Sequence, residues 1–399
     1  MNNKLTVAVI GCGAFAKFFV PLFKAHPYVE KVYVCDLDRE KALDYSKNFS
    51  VEIIDTFEDS LKDPKINCIG LFTQRHLHGP QVLAALKAGK HVYSAVPMAS
   101  RVDECHDIVE LVKKTGLTYM MGETCIYYPC SMFCKSLYES GELGKFVYGE
   151  AQYHHDISHF SENFRKSFAG GVPPFYYPTH STSMILNAVG SYVKKVVAMG
   201  YEDSEMDGIF EVGKNHWDNT ISNSYSLMKL ANGGTARINE LRRVGYKSPS
   251  SYINGFYGTK GAYQFANAQH TVTKLTQKGV DLFDVSAQVN PIEMEEHRGE
   301  ADFMYNAANH VWQATSFSPQ HEQRRKTLPE SFNGLTNGHM GSHQLLIDDF
   351  CTAVYFDKLP TVNAWQAARY TIPGLLAHES ILKDSLPIDV PDCGDAPIK

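Results

Sequence analysis

Residues 4–17, Lys-Leu-Thr-Val-Ala-Val-Ile-Gly-Cys-Gly-Ala-Phe-Ala-Lys, constrain the fold more than any other stretch of the chain. The apolar run Val7, Ala8, Val9, Ile10 reads as a buried strand. Gly11-Cys12-Gly13-Ala14-Phe15-Ala16 then fits the G-x-G-x-x-G/A turn, and Phe15, Phe18, Phe19, Leu22 and Phe23 continue it as an apolar helical pattern. Gly11 permits the tight turn, Gly13 lets backbone approach a pyrophosphate, and Ala16 lets the helix pack near the strand.

Context turns a weak glycine pattern into a strong one. A second strand, residues 31–36, ends in Asp36 at the distance from the turn where an acid accepts hydrogen bonds from the adenosine ribose and repels a 2′-phosphate. NAD is therefore the expected cofactor, with Arg39 the one nearby cation suited to NADP. Alternation of strand and helix continues to about residue 125. Residues 68–72, 91–94 and 117–121 read as strands, and 57–62, 80–89 and 108–116 as helices. This predicts an α/β chain: a doubly wound parallel Rossmann sheet over 1–125, then an α+β domain over 126–399 with a large open, mostly antiparallel sheet.

In the second part, residues 146–155 form a candidate strand. Residues 222–230 and 235–241 flank an Asn-Gly-Gly turn, 252–258 and 262–266 a Thr-Lys-Gly turn, and each pair reads as a hairpin. Helices are expected near 129–140, 344–355 and 365–380, the C-terminal ones packing back on the first domain. Residues 200–220 and 285–340 are polar and loop-like. A net charge of −6 argues against nucleic acid and anionic membrane as partners, and no stretch has the length of a transmembrane helix. Nine cysteines without paired spacing point to a reducing, cytoplasmic setting. The short apolar run before Cys12 imitates an export signal, but the same residues are needed for the first strand.

Together these residues resemble the glucose–fructose oxidoreductase/inositol dehydrogenase (Gfo/Idh/MocA) family. The marks are the glycine turn with Asp36, the segment Thr73-Gln-Arg-His76-Leu-His78, Ala88-Gly-Lys-His-Val92, Gly122-Glu123, Asp348-Asp-Phe350 and Ala377-His-Glu-Ser380. The resemblance implies a nucleotide-binding domain, a second domain whose open sheet covers the nicotinamide, sugar or cyclitol substrates and a homo-oligomer. It places Gly11, Gly13, Ala14, Phe15, Asp36, Thr73, His76, His78, Val96, Pro97 and Glu123 at the cofactor.

Two departures are informative. Where dehydrogenases of the family carry Glu-Lys-Pro, with lysine moving the proton of the reacting hydroxyl, this chain has Ala95-Val96-Pro97, the proline expected in a cis bond. Where the family has Asp-x-x-x-His, Tyr176 stands at the acid position and His180 at the imidazole position. Tyr-Pro-Thr-His beside Val-Pro is similar to the NAD-dependent α-N-acetylgalactosaminidase branch, although Ser181-Thr-Ser183 replaces that branch's glycine-rich continuation. In those enzymes oxidation of a sugar C3 hydroxyl acidifies the C2 proton; elimination of the C1 group, water addition and re-reduction follow. No flanking carboxylate pair is needed.

The candidate catalytic residues are His180, Tyr176, Tyr153 and His155; imidazole suits proton transfer because its pKa lies near neutrality. Strand alternation gives one face to Tyr153 and His155 and the other to His154 and Asp156, and leaves open which pair lines the site. Tyr177, Thr179, His154, Arg242, His339 and His343 are candidate substrate contacts. Arg243 equally reads as half of a solvated pair with Arg242. The spacing of the 153–159 cluster, including His159, fits no standard ligand set, so no metal is expected. The favoured function is a redox-neutral glycosidase. The alternatives are a net sugar or glycoside dehydrogenase and a non-catalytic NAD-binding regulator.

Overall fold

The structure is a computed structural model of the chain. It describes residues 4–398 except 159–161, 163–164, 167–169, 246–251, 266–268, 278, 291–303, 307–310 and 314–316, and backbone alone at 304–306 and 311–313. His159 lies outside the described residues. The chain divides into two compact units, one of Met1–Thr124, Glu322–Ala368 and Cys393–Lys399, the other of Cys125–His321 and Arg369–Asp392.

The first unit holds a six-stranded sheet built from β1 (Leu5–Ile10), β2 (Val29–Cys35), β3 (Glu52–Ile53), β4 (Cys68–Leu71), β5 (His91–Ser94) and β6 (Tyr119–Met121), ordered β3-β2-β1-β4-β5-β6. Every pairing is parallel. β1, β4 and β6 are buried throughout, as unbroken apolar runs must be when helices cover both faces. Strand order reverses between β1 and β4, so the segments leaving their carboxyl ends bracket the crevice where such sheets bind ligands.

The helix expected after the glycine turn is shorter than its apolar pattern. A 3₁₀ turn covers Ala16–Phe18 and an α-helix runs only over Val20–Ala25. Pro21 lacks an N–H and cannot continue a helical ladder begun at Phe15, so the α-helix starts around the proline. Asp38 caps the following helix, Arg39–Phe49, by accepting from the Glu40 N–H at 3.1 Å.

The second unit is dominated by a nine-stranded sheet of β7 (Phe146–His154), β8 (Val193–Glu202), β9 (Ile221–Leu230), β10 (Thr235–Leu241), β11 (Tyr252–Gly258), β12 (Gly261–Phe265), β13 (His270–Thr276), β14 (Gly279–Asp284) and β17 (Ile388–Asp389). The short strands β15 (Met304–Asn306) and β16 (Val311–Gln313) pair with each other. The large sheet runs β14-β13-β12-β11-β7-β10-β9-β8-β17. Both hairpins expected from the turns are present, as β9 with β10 and β11 with β12. They flank β7, β11 antiparallel to it and β10 parallel, the one parallel pairing in an otherwise antiparallel sheet. Helices Pro129–Glu139 and Thr179–Val189 cover one face. The other carries Met199, Tyr225 and Leu227 at 65%, 39% and 50% exposure.

Of the 200–220 stretch expected as loop, residues 200–202 end strand β8 and the rest is a loop held by its own hydrogen bonds. Asn215 Nδ2 donates to the carbonyls of Ile209, Glu211 and Asn219, while its Oδ1 accepts from the Trp217 and Asn219 N–H groups. Arg243 ties in the loop's base, reaching Asp203 at 3.2 Å and Asp207 at 2.7 Å. Arg243 is therefore part of a half-buried network.

Candidate functional site

In the first unit, Gly11 and Gly13 have separate structural reasons. Gly11 sits at φ +96°, and a Cβ there would stand 2.6 Å from the Phe72 carbonyl oxygen. Around Gly13 a Cβ would meet nothing within 4 Å, so the backbone presents an open approach. The Tyr45 hydroxyl donates to the Gly13 carbonyl and holds the turn from behind. Asp36 is anchored at its base: one oxygen accepts from the Cys12 N–H at 2.7 Å, the other from the Asp38 N–H at 2.8 Å. Each carboxylate oxygen keeps a further lone pair. Arg39 is paired with Asp55 at 2.8 Å, which leaves an unopposed acid where a 2′-phosphate would need a cation. An open glycine and a half-buried carboxylate fit NAD.

The segments leaving β4 and β5 are locked together by His78. This ring is buried, with Nδ1 2.8 Å from the Pro97 carbonyl and Nε2 3.1 Å from the Thr73 carbonyl. Burial pushes its pKa down to about 4, and the neutral ring has a single N–H, so it donates to one of these two carbonyls. Thr73 is further fixed by donating to Gln81 Oε1 at 2.6 Å. His76 is half-buried in the first turn of helix Arg75–Lys87. Ala95 and Val96 are buried, and the Val96–Pro97 bond is cis. Glu123 is fully buried; the Tyr93 phenol is held up first by burial and then by the Glu123 charge.

His339 and His343 belong to this unit. They pack at 5.3 and 5.6 Å, ring centre to ring centre, from Phe15 in the glycine turn, and His343 Nε2 lies 2.8 Å from His339 Nδ1. His339, Met340 and Gly341 all have left-handed backbone, with φ of 49°, 56° and 87°. Burial drives the His343 pKa well down, so its ring is a neutral support beneath the turn.

In the second unit, three strands set side chains abreast. Register places Tyr153 of β7 opposite Glu240 of β10 on one side and Tyr252 of β11 on the other. Tyr153 stacks on Tyr252 at 4.6 Å and 7° and on His155 at 4.8 Å. Helix Thr179–Val189 brings His180 over this row, its ring edge-on to Tyr153 at 5.7 Å, Tyr177 at 5.0 Å and Tyr252 at 6.2 Å. His180 Nε2 and the Tyr177 hydroxyl share a hydrogen bond of 3.0 Å. Burial pushes the Tyr153 and Tyr252 phenols up, so both stay protonated at neutral pH.

Of the two strand faces given by alternation, the one with Tyr153 and His155 lies on the His180 side. His154 points the other way, 3.4 Å from Gln152, and burial lowers its pKa. Burial raises the Asp156 carboxyl, but hydrogen bonds from Ser158, Val244 and Gly245 outweigh this and hold it below its usual value. Asp156 therefore braces the β10 exit. Tyr176 does not join the His180 group; its ring packs edge-on to Trp217 at 5.3 Å and His378 at 5.1 Å. Thr179 is buried, and its hydroxyl has no hydrogen-bond partner among the described residues.

Arg242 is buried as well. Its guanidinium donates to Glu240 at 3.0 Å and to the Leu241 carbonyl at 3.2 Å, and lies 5.2 Å from the centre of the Tyr153 ring. Neither Glu240 nor Tyr252 was among the residues singled out from the sequence. Glu240 did leave a signal: alternation through Ala236, Ile238 and Glu240 puts an acid on the apolar face of β10. Tyr252 opens its strand with no motif around it.

Residues 5–123 match the family described as an oxidoreductase family with NAD-binding Rossmann fold, GFO_IDH_MocA. The chain is 21% identical to a glycosyl hydrolase family 109 protein of Saccharopolyspora erythraea, covering 98% of this chain and 83% of that one. It is 22% identical to an alpha-N-acetylgalactosaminidase of Bacteroides fragilis, covering 82% and 75%. Among solved structures it is similar in fold to a levoglucosan dehydrogenase in complex with NADH, with a TM-score of 0.73, 19% identity and coverage of 98% and 100%. The matched segment holds the glycine turn, the Asp36 anchor and the loops that meet at His78, and over that segment the chain is similar to the NAD-binding Rossmann part of that oxidoreductase family.

Proposed function

We propose that this chain is a redox-neutral glycosidase, cleaving a glycosidic bond by way of a transient oxidation of a sugar hydroxyl. The observation that carries the reading is the proton-handling group of the second unit, in which His180 shares a hydrogen bond with Tyr177 and faces Tyr153 and Tyr252. The position of the family's lysine is filled by the aliphatic Val96. The glycosyl hydrolase names of relatives that span most of the chain support it.

Gly11, Gly13, Ala14 and Phe15 would hold the pyrophosphate of NAD, Asp36 the adenosine ribose, and Thr73, His76 and the 95–97 loop the nicotinamide side. Bound NAD supplies the oxidation of the sugar hydroxyl and its later reversal. His180 takes the proton of the reacting hydroxyl and returns it, with the Tyr177 phenol fixing the ring and relaying that proton. Tyr153 and Tyr252, kept neutral by burial, donate hydrogen bonds to sugar oxygens. His155, stacked on Tyr153, serves the second proton transfer, at the carbon beside the ketone. Thr179 offers its buried hydroxyl to the substrate.

The test is a panel of aryl glycosides followed at the reduced-nicotinamide absorbance and for aglycone release. Release without net NADH, lost with substrates lacking the C3 hydroxyl, supports the proposal; NADH accumulation without bond cleavage replaces it with a dehydrogenase. His180→Ala is expected to lower kcat by about 10²–10⁴-fold while NADH affinity stays unchanged. We also assign the exposed sheet face carrying Met199, Tyr225 and Leu227 to a contact between copies of this chain. Light scattering on Leu227→Lys checks this, a smaller particle being the expected result. Among the described residues no helix is long and apolar enough to cross a membrane.

A further inference from the structure

Beneath the helix that carries His180 lies a carboxyl that no motif marks. The Glu240 side chain is 0% exposed and its partner Arg242 5%. One Glu240 oxygen accepts from the Ser181 hydroxyl at 2.7 Å and the other from Arg242 at 3.0 Å. Ser181 follows His180 directly, so the carboxyl is tied to the helical turn that aims the imidazole. Burying two charges is costly, and a well-packed apolar pair of the same size generally folds as well or better. The pair therefore invites a reading beyond stability.

Charge bookkeeping around His180 supplies one. Within the second unit, the titratable groups near its ring include Cys125, Tyr153, Tyr177 and Tyr252. Glu240 also acts on it through space. Facing Glu240 are Ser181, Arg242, His180 and Tyr153. Among the described residues of the second unit named here, Glu240 is the acid common to both sets. Burial raises the Glu240 pKa to about 7, so at neutral and higher pH the carboxyl is ionised and opposes the charge of a protonated His180, and Arg242 keeps it from turning away.

We propose that Glu240 is the positioning residue of the His180 proton: it fixes the imidazole through Ser181 and stabilises the protonated ring from beneath. This rests on the reading of His180 as the proton carrier.

The experiment follows the His180 imidazole by NMR in the full chain labelled with ¹³C-histidine, the signal being assigned by its loss in His180→Gln. In Glu240→Gln the counter-charge is gone, so the His180 midpoint is expected to fall by roughly half a unit to one unit. The acid limb of kcat against pH should move down with it. Ser181→Ala leaves no buried charge unpaired and is expected to give a smaller fall of the same sign. It decides the matter alone if Glu240→Gln does not fold. A folded variant with an unmoved His180 midpoint overturns the proposal, as does a wild-type His180 that does not titrate between pH 5 and 9. An inactive wild type whose His180 midpoint still moves in Glu240→Gln would remove the glycosidase reading and leave the charge pairing standing.

Discussion

Replacing Gly11 and Gly13 one at a time with alanine separates the two reasons a chain keeps glycine. At Gly11 the backbone is at φ +96°, and a Cβ would stand 2.6 Å from the Phe72 oxygen, 2.8 Å from its carbonyl carbon and 3.2 Å from the Thr73 nitrogen. The left-handed backbone costs roughly 1–2 kcal/mol for a residue with a side chain. Forcing a methyl against backbone atoms that cannot rotate away adds roughly 1–3 kcal/mol. Gly11→Ala is therefore expected to destabilise the first unit by about 3 kcal/mol, lowering its melting midpoint by roughly 6–12 °C. Gly13→Ala meets nothing within 4 Å, so its stability should stay within about 0.5 kcal/mol of wild type. Its NADH affinity should weaken by about tenfold or more, since the methyl occupies the approach of the pyrophosphate. Calorimetry and NADH fluorescence titration read the two effects separately. A Gly13→Ala protein that binds NADH as wild type does would refute the assignment of that turn to the cofactor.

Asp36→Ser keeps a short polar side chain but removes the charge; NADH preference over NADPH should fall by about tenfold, measured as a ratio of Kd values. Glu240 gives a pH signature: burial raises its pKa from the ordinary 4.5 to about 7, with Arg242 and Ser181 opposing. Between those values the folded chain holds a proton that the unfolded chain has released. The stabilising contribution is therefore full below pH 4.5 and lost as pH rises to about 7. Urea midpoints of wild type against Glu240→Gln should converge or cross over that window, and parallel curves would show that Glu240 keeps an ordinary pKa.

The parallel sheet of the first unit was legible because its signals are local. An apolar run, a glycine turn, a capping aspartate and an acid at a strand end each sit within a few residues of what they control. The break at Pro21 was equally visible as a residue, and the apolar pattern of the phenylalanines overrode it. In the second unit the hairpins followed from their turns, whereas the parallel pairing of β7 with β10 joins segments far apart in sequence. The His180 group depends on that pairing. Tyr177 and Tyr176 are neighbours with the same side chain, and the chain's path sends one to His180 and the other to Trp217 and His378. Glu240 was written in the alternation of β10, but β10 was read as half of a hairpin and not as the floor of a site.

Strand β7 is paired along its length on both sides, with β10 and with β11. Sliding it by one residue would break two ladders and exchange Tyr153 and His155 for His154 on the His180 side. A deletion or insertion between residues 146 and 155 therefore cannot be absorbed gradually. The strand that carries the row therefore has to be inherited at constant length.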